Sequence, residues 1–275
     1  MTPYLKTKDF SVSQEEFELH HDLDLDMLVT KPHPEKLDSY YQSDNYISHT
    51  DASTSLVDKM YQRVKKFSIR RKVKLINRHA SKPKTILDFG AGTGDFLLAA
   101  KSSSWIVEGV EPNLDARNKA KEKGVHLLSN LDLLEGRKYK VITLWHVLEH
   151  VSDLENQILN LAAHLEEQGT LIIAVPNFKS YDAKHYQEHW AAYDVPRHLW
   201  HFSKTAIEKL FAKQGLILAQ TKPMIFDAFY VALLSEKYKS GKQRYAKAFL
   251  IGLLSNIKAL STKEHSSLIY ILKKS

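Results

Sequence analysis

The sequence predicts an α/β fold in which a mostly parallel sheet is covered by helices, and two observations support this prediction. First, Thr85–Phe89 is a short apolar run that leads into a glycine-rich turn and then into the apolar start of a helix. Second, further strand-like runs follow in alternation with helical patterns, at Trp105–Asn113, Val141–Val151 and Leu171–Asn177. Such alternation is typical of parallel sheets, because parallel neighbours need a crossover between them.

The turn after the first strand carries glycines at alternate positions. Glycine tolerates positive φ angles and has no Cβ atom, so the backbone of this turn can come close to a bound nucleoside. Dinucleotide-binding folds place G-x-G-x-x-G here, whereas this sequence has G-x-G-x-G. We therefore predict a nucleoside-binding loop of another class. Its predicted contacts are Asp88, Phe89, Gly90, Ala91, Gly92 and Gly94.

Glu111 ends the second strand-like run, 17 positions after Gly94. A carboxylate there can accept hydrogen bonds from both hydroxyls of a ribose. Pro112 and Asn113 follow it and complete this predicted contact. The alternative interpretation makes Glu111 a solvated turn residue before proline. Because NAD carries the same ribose, Glu111 alone does not identify the cofactor.

Three longer segments are more specific: W-H-V-L-E-H at Trp145–His150, A-V-P-N-F at 174–178 and D-V-P-R-H-L-W-H-F-S at 194–203. With the glycine loop, they resemble a bacterial subgroup of the class I S-adenosylmethionine-dependent methyltransferases, related to small-molecule and sugar methyltransferases. The resemblance runs from about Tyr40 to the C-terminus. It implies S-adenosyl-L-methionine as cofactor and S-adenosyl-L-homocysteine as product. It also implies a Rossmann-like, seven-stranded sheet with helices on both faces and an antiparallel last strand at Ser266–Lys273.

The same resemblance assigns Trp145 and His146 to the cofactor pocket. In the resembled family, a segment before the first core helix folds over the cofactor. This makes Tyr41, Tyr46 and His49 candidate lid residues. Packing at a domain seam is the alternative for these side chains.

We expect three regions along the chain. Residues 1–50 form an N-terminal appendage, 51–84 form a basic helical segment, and 85–275 form the methyltransferase core with a substrate-side insertion at about 223–262. Related sugar methyltransferases often begin with a cysteine-rich zinc-binding module. This chain has no cysteine, so we expect a small β-rich remnant of such a module and no bound metal.

The lack of cysteine excludes disulfides, thiolate metal sites and a cysteine nucleophile. Methylation of a base carbon through a covalent cysteine adduct is therefore excluded. The first ten residues contain no secretory signal, and the longest apolar run, Ala248–Leu254, is too short to cross a bilayer. These features predict a cytoplasmic enzyme without a membrane partner.

Basic residues are concentrated in Lys59–Lys84, which holds eleven Lys and Arg and no Asp or Glu, while the whole chain has a net charge of +7. A basic helix can hold an anion such as a nucleic acid, a glycan phosphate or a nucleotide sugar. The alternative is an ordinary solvated face, since only Tyr61 and Phe67 are available there to stack on bases.

The segment Tyr186–Ser203 lies between a strand end and a helix, where open α/β sheets bind their ligands. Its H-L-x-x-F-S ending resembles a segment of deoxysugar C-methyltransferases, in which the matching histidine is the proposed general base. That position here is His198. The upstream Tyr and Glu of the motif are not matched, because Pro196 and Arg197 stand there.

Three histidines are therefore candidates for taking a proton from the acceptor, since imidazole titrates near neutral pH. His198 is preferred. The alternative interpretation of His201 is that it packs at a helix cap. The alternative interpretation of His146 is that it forms part of the cofactor pocket. The predicted substrate contacts are Tyr193, Arg197, Trp200, Phe226 and Tyr230.

The sequence thus predicts an S-adenosylmethionine-dependent methyltransferase that acts on a small-molecule or glycan-like acceptor, at oxygen or carbon. One alternative is a nucleic-acid methyltransferase that uses the basic helix. Against it, an Asp/Asn-Pro-Pro-aromatic motif is missing after Leu144. The other alternative is a non-catalytic cofactor-binding protein.

Overall fold

The computed structural model describes residues 1–34, 37, 40, 56–80 and 82–274. Their strands are β1 (Thr2–Lys8), β2 (Glu16–Asp22), β3 (Met27–Lys31), β4 (Thr85–Phe89), β5 (Ile106–Val110), β6 (Tyr139–Trp145), β7 (Leu165–Pro176), β8 (Trp200–His201), β9 (Leu216–Pro223) and β10 (Ser267–Lys274). Their α-helices are α1 (Leu56–Ile76), α2 (Asp95–Lys101), α3 (Leu114–Glu122), α4 (Leu154–Ala163), α5 (Tyr181–Tyr186), α6 (Lys204–Ala212), α7 (Asp227–Ser240) and α8 (Tyr245–Thr262).

The main sheet has the strand order β5-β4-β6-β7-β10-β9. Strands β5, β4, β6 and β7 pair in parallel, and β10 runs antiparallel to both of its neighbours. The predicted mostly parallel sheet with an antiparallel last strand is confirmed. Six strands form this sheet among the described residues. In place of a full seventh strand, Leu128 forms one parallel bridge to Val110, with backbone hydrogen bonds to Gly109 and Glu111.

The central strands are buried on both faces, which is why they read as continuous apolar runs. In β7, residues 169–175 are all buried. Apolar side chains of α1, α2 and α3 pack on one face of the sheet, and those of α4 and α6 pack on the other. The predicted arrangement of helices on both faces is therefore confirmed.

One element boundary differs from the sequence pattern. Apolar spacing predicts that Leu165 and Gly169 continue and close the helix that begins at Leu154, but α4 ends at Ala163 and both residues lie in β7. Leu165 pairs in parallel with Tyr139 of β6. A single apolar residue fits either period, so tertiary strand pairing decides its conformation.

The N-terminal strands form a second sheet. Its order is β1-β2-β3-β8, all antiparallel, so Trp200–His201 of the segment Tyr186–Ser203 pairs with Val29 and Leu28. The β-rich N-terminal region is thereby joined to the segment that follows β7. This pairing places His201 at the junction of the two sheets.

The insertion between β9 and β10 consists of α7 and α8, which pack against each other. Within the described parts of the chain, no helix combines the length and the apolar character needed to span a membrane.

Candidate active site

The glycine loop is fixed by backbone contacts with its neighbours. The N–H groups of Gly90 and Ala91 donate to the carbonyl oxygen of Val110 at 2.8 and 3.0 Å. Gly90 has φ +76°, and a Cβ atom there would lie 2.4 Å from Cγ2 of Val147. Glycine is required at this position because the loop presses against the segment that follows β6.

Gly92, at the next alternate position, faces open space. Its φ is +54°, and a Cβ atom there would meet no atom within 4 Å. Its N–H donates to Oε2 of Glu111 at 2.8 Å, and the N–H of Asn113 donates to Oε1 of the same carboxylate at 2.9 Å. A carboxylate has about four acceptor positions. Glu111 is therefore oriented beside the loop with acceptor capacity left for ribose hydroxyls.

The turn after Glu111 is also held in place. Nη1 of Arg117 donates to the carbonyl oxygens of Glu111 and Pro112, both at 2.7 Å. Asn113 caps α3, since its side-chain oxygen accepts from the N–H of Ala116 at 2.9 Å. Gly94 stands at the start of α2 in the left-handed region.

Asp88 lies beneath the loop and is 2% exposed. Its Oδ1 accepts a hydrogen bond from the hydroxyl of Thr143 at 2.5 Å. Burial raises the pKa of Asp88 to about 7, although Thr143 and the charge of Lys72 oppose this rise. Asp88 thus titrates near neutral pH inside the predicted cofactor region, where Phe89 is half-buried beside it.

Lys72 belongs to the basic helix but faces this region rather than solvent. Its Nζ lies 4.4 Å from the centre of the Trp145 ring. Burial lowers the pKa of Lys72, while Asp88 and Asp227 oppose that effect. The buried Nε1 of Trp145 has no hydrogen-bond partner among the described residues. Trp145, the predicted pocket residue, thus presents an unused donor.

His146 follows β6 with φ +57°, an uncommon conformation for a residue with a side chain. Its Nε2 lies 3.0 Å from Oδ2 of Asp227, and its Nδ1 lies 3.3 Å from Oε1 of Glu149. Burial lowers the pKa of His146, but the contacts with Asp227 and Glu149 outweigh it and raise the pKa to about 10. His146 therefore carries a proton at neutral pH.

Glu149, His150 and His198 form a second cluster, in which one possible ligand atom of each residue lies within 4.8 Å of the others. Glu149 is 1% exposed, and its two carboxylate oxygens meet no hydrogen-bond donor with good geometry among the described residues. Burial raises its pKa, but the contact with the protonated His146 outweighs this and lowers it. Glu149 is therefore a buried anion.

The two imidazoles of this cluster are oriented by backbone carbonyls. Nδ1 of His150 lies 3.0 Å from the carbonyl oxygen of Arg197, and Nδ1 of His198 lies 2.9 Å from that of Ala192. Because carbonyls only accept, the Nδ1 atom of each ring carries hydrogen. Burial holds the pKa of His198 well below its usual value, so this ring is neutral.

The cluster can therefore do one of two things. A neutral imidazole can accept a proton, and two imidazoles with one carboxylate are a donor set that zinc uses. Orientation of Nδ1–H by a carbonyl is the usual second contact of a metal-bound histidine. The sequence pattern predicts no metal, and it does not indicate that Glu149, His150 and His198 converge. For the first two of these residues, the W-H-V-L-E-H segment was the only signal.

His201 and Tyr193 lie in the core. Nε2–H of His201 donates to the hydroxyl of Thr30 at 3.0 Å, because that hydroxyl already donates to the carbonyl of His198. Burial lowers the pKa of His201 to about 3. Tyr193 is 2% exposed and packs edge-on against His201. Both side chains are placed to pack the junction of the sheets rather than to meet an acceptor.

Arg197 is 1% exposed and its guanidinium is bound by protein groups. Nη2 lies 2.8 Å from Oδ1 of Asp9 and 2.7 Å from Oδ1 of Asp194. The same guanidinium donates to the carbonyl oxygen of Tyr40. The expected contact with substrate is therefore replaced by an ion-pair network that ties the segment carrying His198 to the N-terminal sheet.

The remaining predicted contacts lie nearer the surface. Nε1 of Trp200 donates to the carbonyl oxygen of Val151 at 2.7 Å, and its ring is half-buried. Phe226 and Tyr230 are 40% and 51% exposed, beside the Asp227 that contacts His146. The candidate lid residues Tyr41, Tyr46 and His49 lie outside the described residues.

Two curated relatives are similar to this chain in sequence. Ubiquinone biosynthesis O-methyltransferase of Rickettsia canadensis is 29% identical over 156 residues, and that of Rickettsia akari is 34% identical over 109 residues. The alignments cover 52% and 37% of this chain. They span 66% and 43% of the relatives, so the chain matches about two thirds of the first and less than half of the second.

Solved structures share the fold at low sequence identity. Magnesium protoporphyrin IX methyltransferase from Synechocystis PCC 6803, solved with bound S-adenosylhomocysteine, has a TM-score of 0.55 and 15% identity, covering 86% of this chain and 92% of its own. A cyclopropane synthase from Mycobacterium tuberculosis has a TM-score of 0.52 and 13% identity, covering 74% of this chain and 83% of its own. The family model described as a methyltransferase domain matches residues 61–221, more than half of the chain. The chain shares the class I fold of these S-adenosylmethionine-dependent methyltransferases, and it belongs to the methyltransferase-domain family.

Proposed function

We propose that the protein transfers the methyl group of S-adenosylmethionine to an oxygen atom of a small-molecule acceptor. The use of this cofactor is supported most directly by the pairing of Glu111 with Gly92, which orients a carboxylate beside the glycine loop. The curated relatives are named as O-methyltransferases of ubiquinone biosynthesis, which favours oxygen over carbon and a small molecule over a glycan.

The bound cofactor supplies an electrophilic methyl group, so the chain has to position the acceptor and accept its proton. Among the three candidate histidines, His198 suits the second task best. Its ring is neutral and its Nε2 has a lone pair, since Nδ1–H is held by Ala192. His146 already carries a proton, and His201 uses its Nε2–H on Thr30.

A divalent cation held by Glu149, His150 and His198 is the alternative way to activate the acceptor. A cation there would lower the pKa of a bound hydroxyl and occupy the lone pair that His198 otherwise uses as a base. The two versions differ in one respect that can be measured, because only the second loses turnover when metal is removed.

A nucleic-acid acceptor is the second candidate function, and the basic helix favours it. Two of the cations on that helix nevertheless contact other parts of the protein. Nζ of Lys65 lies 2.7 Å from Oδ2 of Asp95, and Nζ of Lys72 lies over the ring of Trp145. The exposed Arg70 and Arg71 are the cations to test. Binding of RNA or DNA below micromolar at physiological salt, abolished by Arg70→Glu with Arg71→Glu, would favour this candidate.

The proposal is tested by methyl transfer from S-adenosylmethionine that carries a labelled methyl group. The acceptors offered are phenols, catechols, sugar nucleotides and bulk RNA, with mass spectrometry of the products. We expect label as an O-methyl ether on a phenolic or catechol acceptor, and much less label with Glu111→Ala at a limiting concentration of S-adenosylmethionine. Label in RNA or on carbon would contradict the proposal. So would cofactor binding without transfer to any acceptor, which is the result expected of a non-catalytic protein.

A further inference from the structure

Helix α8 presents an apolar face that is not covered by any described part of the chain. Large apolar side chains recur along it at spacings of three and four residues, so they share one side of the helix. They are between 38% and 68% exposed, and they are Tyr245, Phe249, Leu250, Leu253, Leu254, Ile257 and Leu260. The buried side consists of Ala248, Ile251, Gly252, Ser255 and Ala259. We call the exposed set the α8 apolar face.

The segment that carries this face is rich in positive charge. Residues 237–263 contain seven Lys and Arg and no Asp or Glu. These cations are Lys237, Lys239, Lys242, Arg244, Lys247, Lys258 and Lys263. Lys247 lies 2.9 Å from the buried Glu236, whereas Lys242 and Arg244 are exposed just before the helix. An apolar stripe bordered by cations is complementary to a surface that is apolar inside and anionic outside.

The α8 apolar face continues towards the candidate active site. The ring of Phe249 stacks on that of Phe229 at 5.3 Å, and Nδ2 of Asn256 donates to the carbonyl of Ile225 at 3.0 Å. Ile225 is itself 39% exposed. It lies two residues before Asp227, which contacts His146. Whatever covers α8 therefore lies near the start of α7, where Asp227 contacts His146.

We propose that the α8 apolar face binds the surface of an anionic lipid bilayer. The helix would lie in the plane of the interface, with its apolar side chains at the acyl boundary and its cations among the headgroups. A second copy of the chain fits less well. An isologous contact through α8 would bring the same cations of both copies together, with no acid in this segment to balance them.

The absence of cysteine from the chain allows a single-site test. Leu250→Cys, labelled with a polarity-sensitive dye, reports on the α8 apolar face. Leu159→Cys, on α4, is the matched control, since the two leucines are 56% and 50% exposed. With phosphatidylglycerol vesicles we expect a blue shift for the label at position 250 and none at 159. Equal shifts at both positions, or none at either, would overturn the proposal.

The charge requirement is tested by cosedimentation of the unlabelled protein with vesicles. Lys242→Gln with Arg244→Gln should weaken binding to phosphatidylglycerol vesicles about 30-fold, since each cation near an anionic surface contributes about 1 kcal/mol. Lys119→Gln with Lys121→Gln, exposed on α3, should leave it unchanged. Binding to pure phosphatidylcholine that equals binding to phosphatidylglycerol would contradict the proposal. A dimer in light scattering that Leu250→Ser dissociates, without vesicle binding, would assign the face to a second copy instead.

Discussion

His146 at the end of β6 and Asp227 at the start of α7 are joined by a contact of 3.0 Å between Nε2 and Oδ2. The first residue follows a central strand of the main sheet, and the second begins the insertion. The contact thus fixes the insertion to the candidate active site. It also helps to raise the pKa of His146 to about 10.

Removal of the Asp227 charge should lower the pKa of His146. Asp227→Asn keeps the size of the side chain but removes the carboxylate that favours the protonated ring. We expect the pKa of His146 to fall by about 1–3 pH units, measured by NMR titration of its imidazole. Asp115→Asn, exposed on α3, is the control and should change nothing. An unchanged pKa would mean that Glu149 alone holds the proton on His146.

Loss of the Glu111 carboxylate should weaken cofactor binding. Glu111→Ala should lower the affinity for S-adenosylhomocysteine by about 1.5–3 kcal/mol, the scale for a lost hydrogen bond to a charged group. Glu122→Ala, exposed at the end of α3, should not change it. Calorimetry provides both values. Tight binding of NAD, with no heat from S-adenosylhomocysteine, would contradict the assignment of Glu111 to this cofactor.

The contrast between Glu111 and His146 shows how far the sequence could predict the site. Glu111 and the glycine loop are close in sequence, so the strand and turn patterns alone are enough to place them together. The partner of His146 comes from the insertion, and no spacing rule links the two. Arg197 is a similar case, since its acid Asp9 is 188 positions away. The sequence pattern predicts a substrate contact for Arg197, whereas long-range packing places its side chain in a buried ion pair.

Replacement of His198 should affect turnover far more than cofactor binding. If its Nε2 takes the acceptor proton, His198→Ala should lower turnover by about 10²–10⁴-fold and leave the affinity for S-adenosylhomocysteine nearly unchanged. A base must be neutral, and burial lowers the pKa of His198. Wild-type activity should therefore persist below pH 6.5, and its loss in acid should vanish in the variant. An acid-side loss near pH 7 that survives in His198→Ala would belong to Asp88.

Removal of metal distinguishes between two roles of His198, which are general base and metal ligand. If Glu149, His150 and His198 hold a cation, treatment with a chelator should abolish turnover, and zinc or magnesium should restore it. Glu149→Gln should then lose zinc binding measured by calorimetry, while Glu155→Gln, an exposed control on α4, should keep it. Full activity after exhaustive chelation would favour His198 as the base itself.

Acid should destabilise the protein through His201. The pKa of His201 is 6.5 in the unfolded chain and about 3 when the side chain is buried. Between these two pH values the unfolded state binds a proton that the folded state does not bind. Stability therefore falls as pH drops below 6.5, by about 1.4 kcal/mol for each pH unit until about pH 3.

His201→Gln keeps a donor for the hydroxyl of Thr30 but cannot titrate. Between pH 7.5 and 5, its free energy of unfolding should fall by about 2 kcal/mol less than that of the wild type in urea titrations. His126→Gln is the control, because His126 is exposed. Equal acid sensitivity of the wild type and His201→Gln would show that other groups, such as His198, dominate acid unfolding.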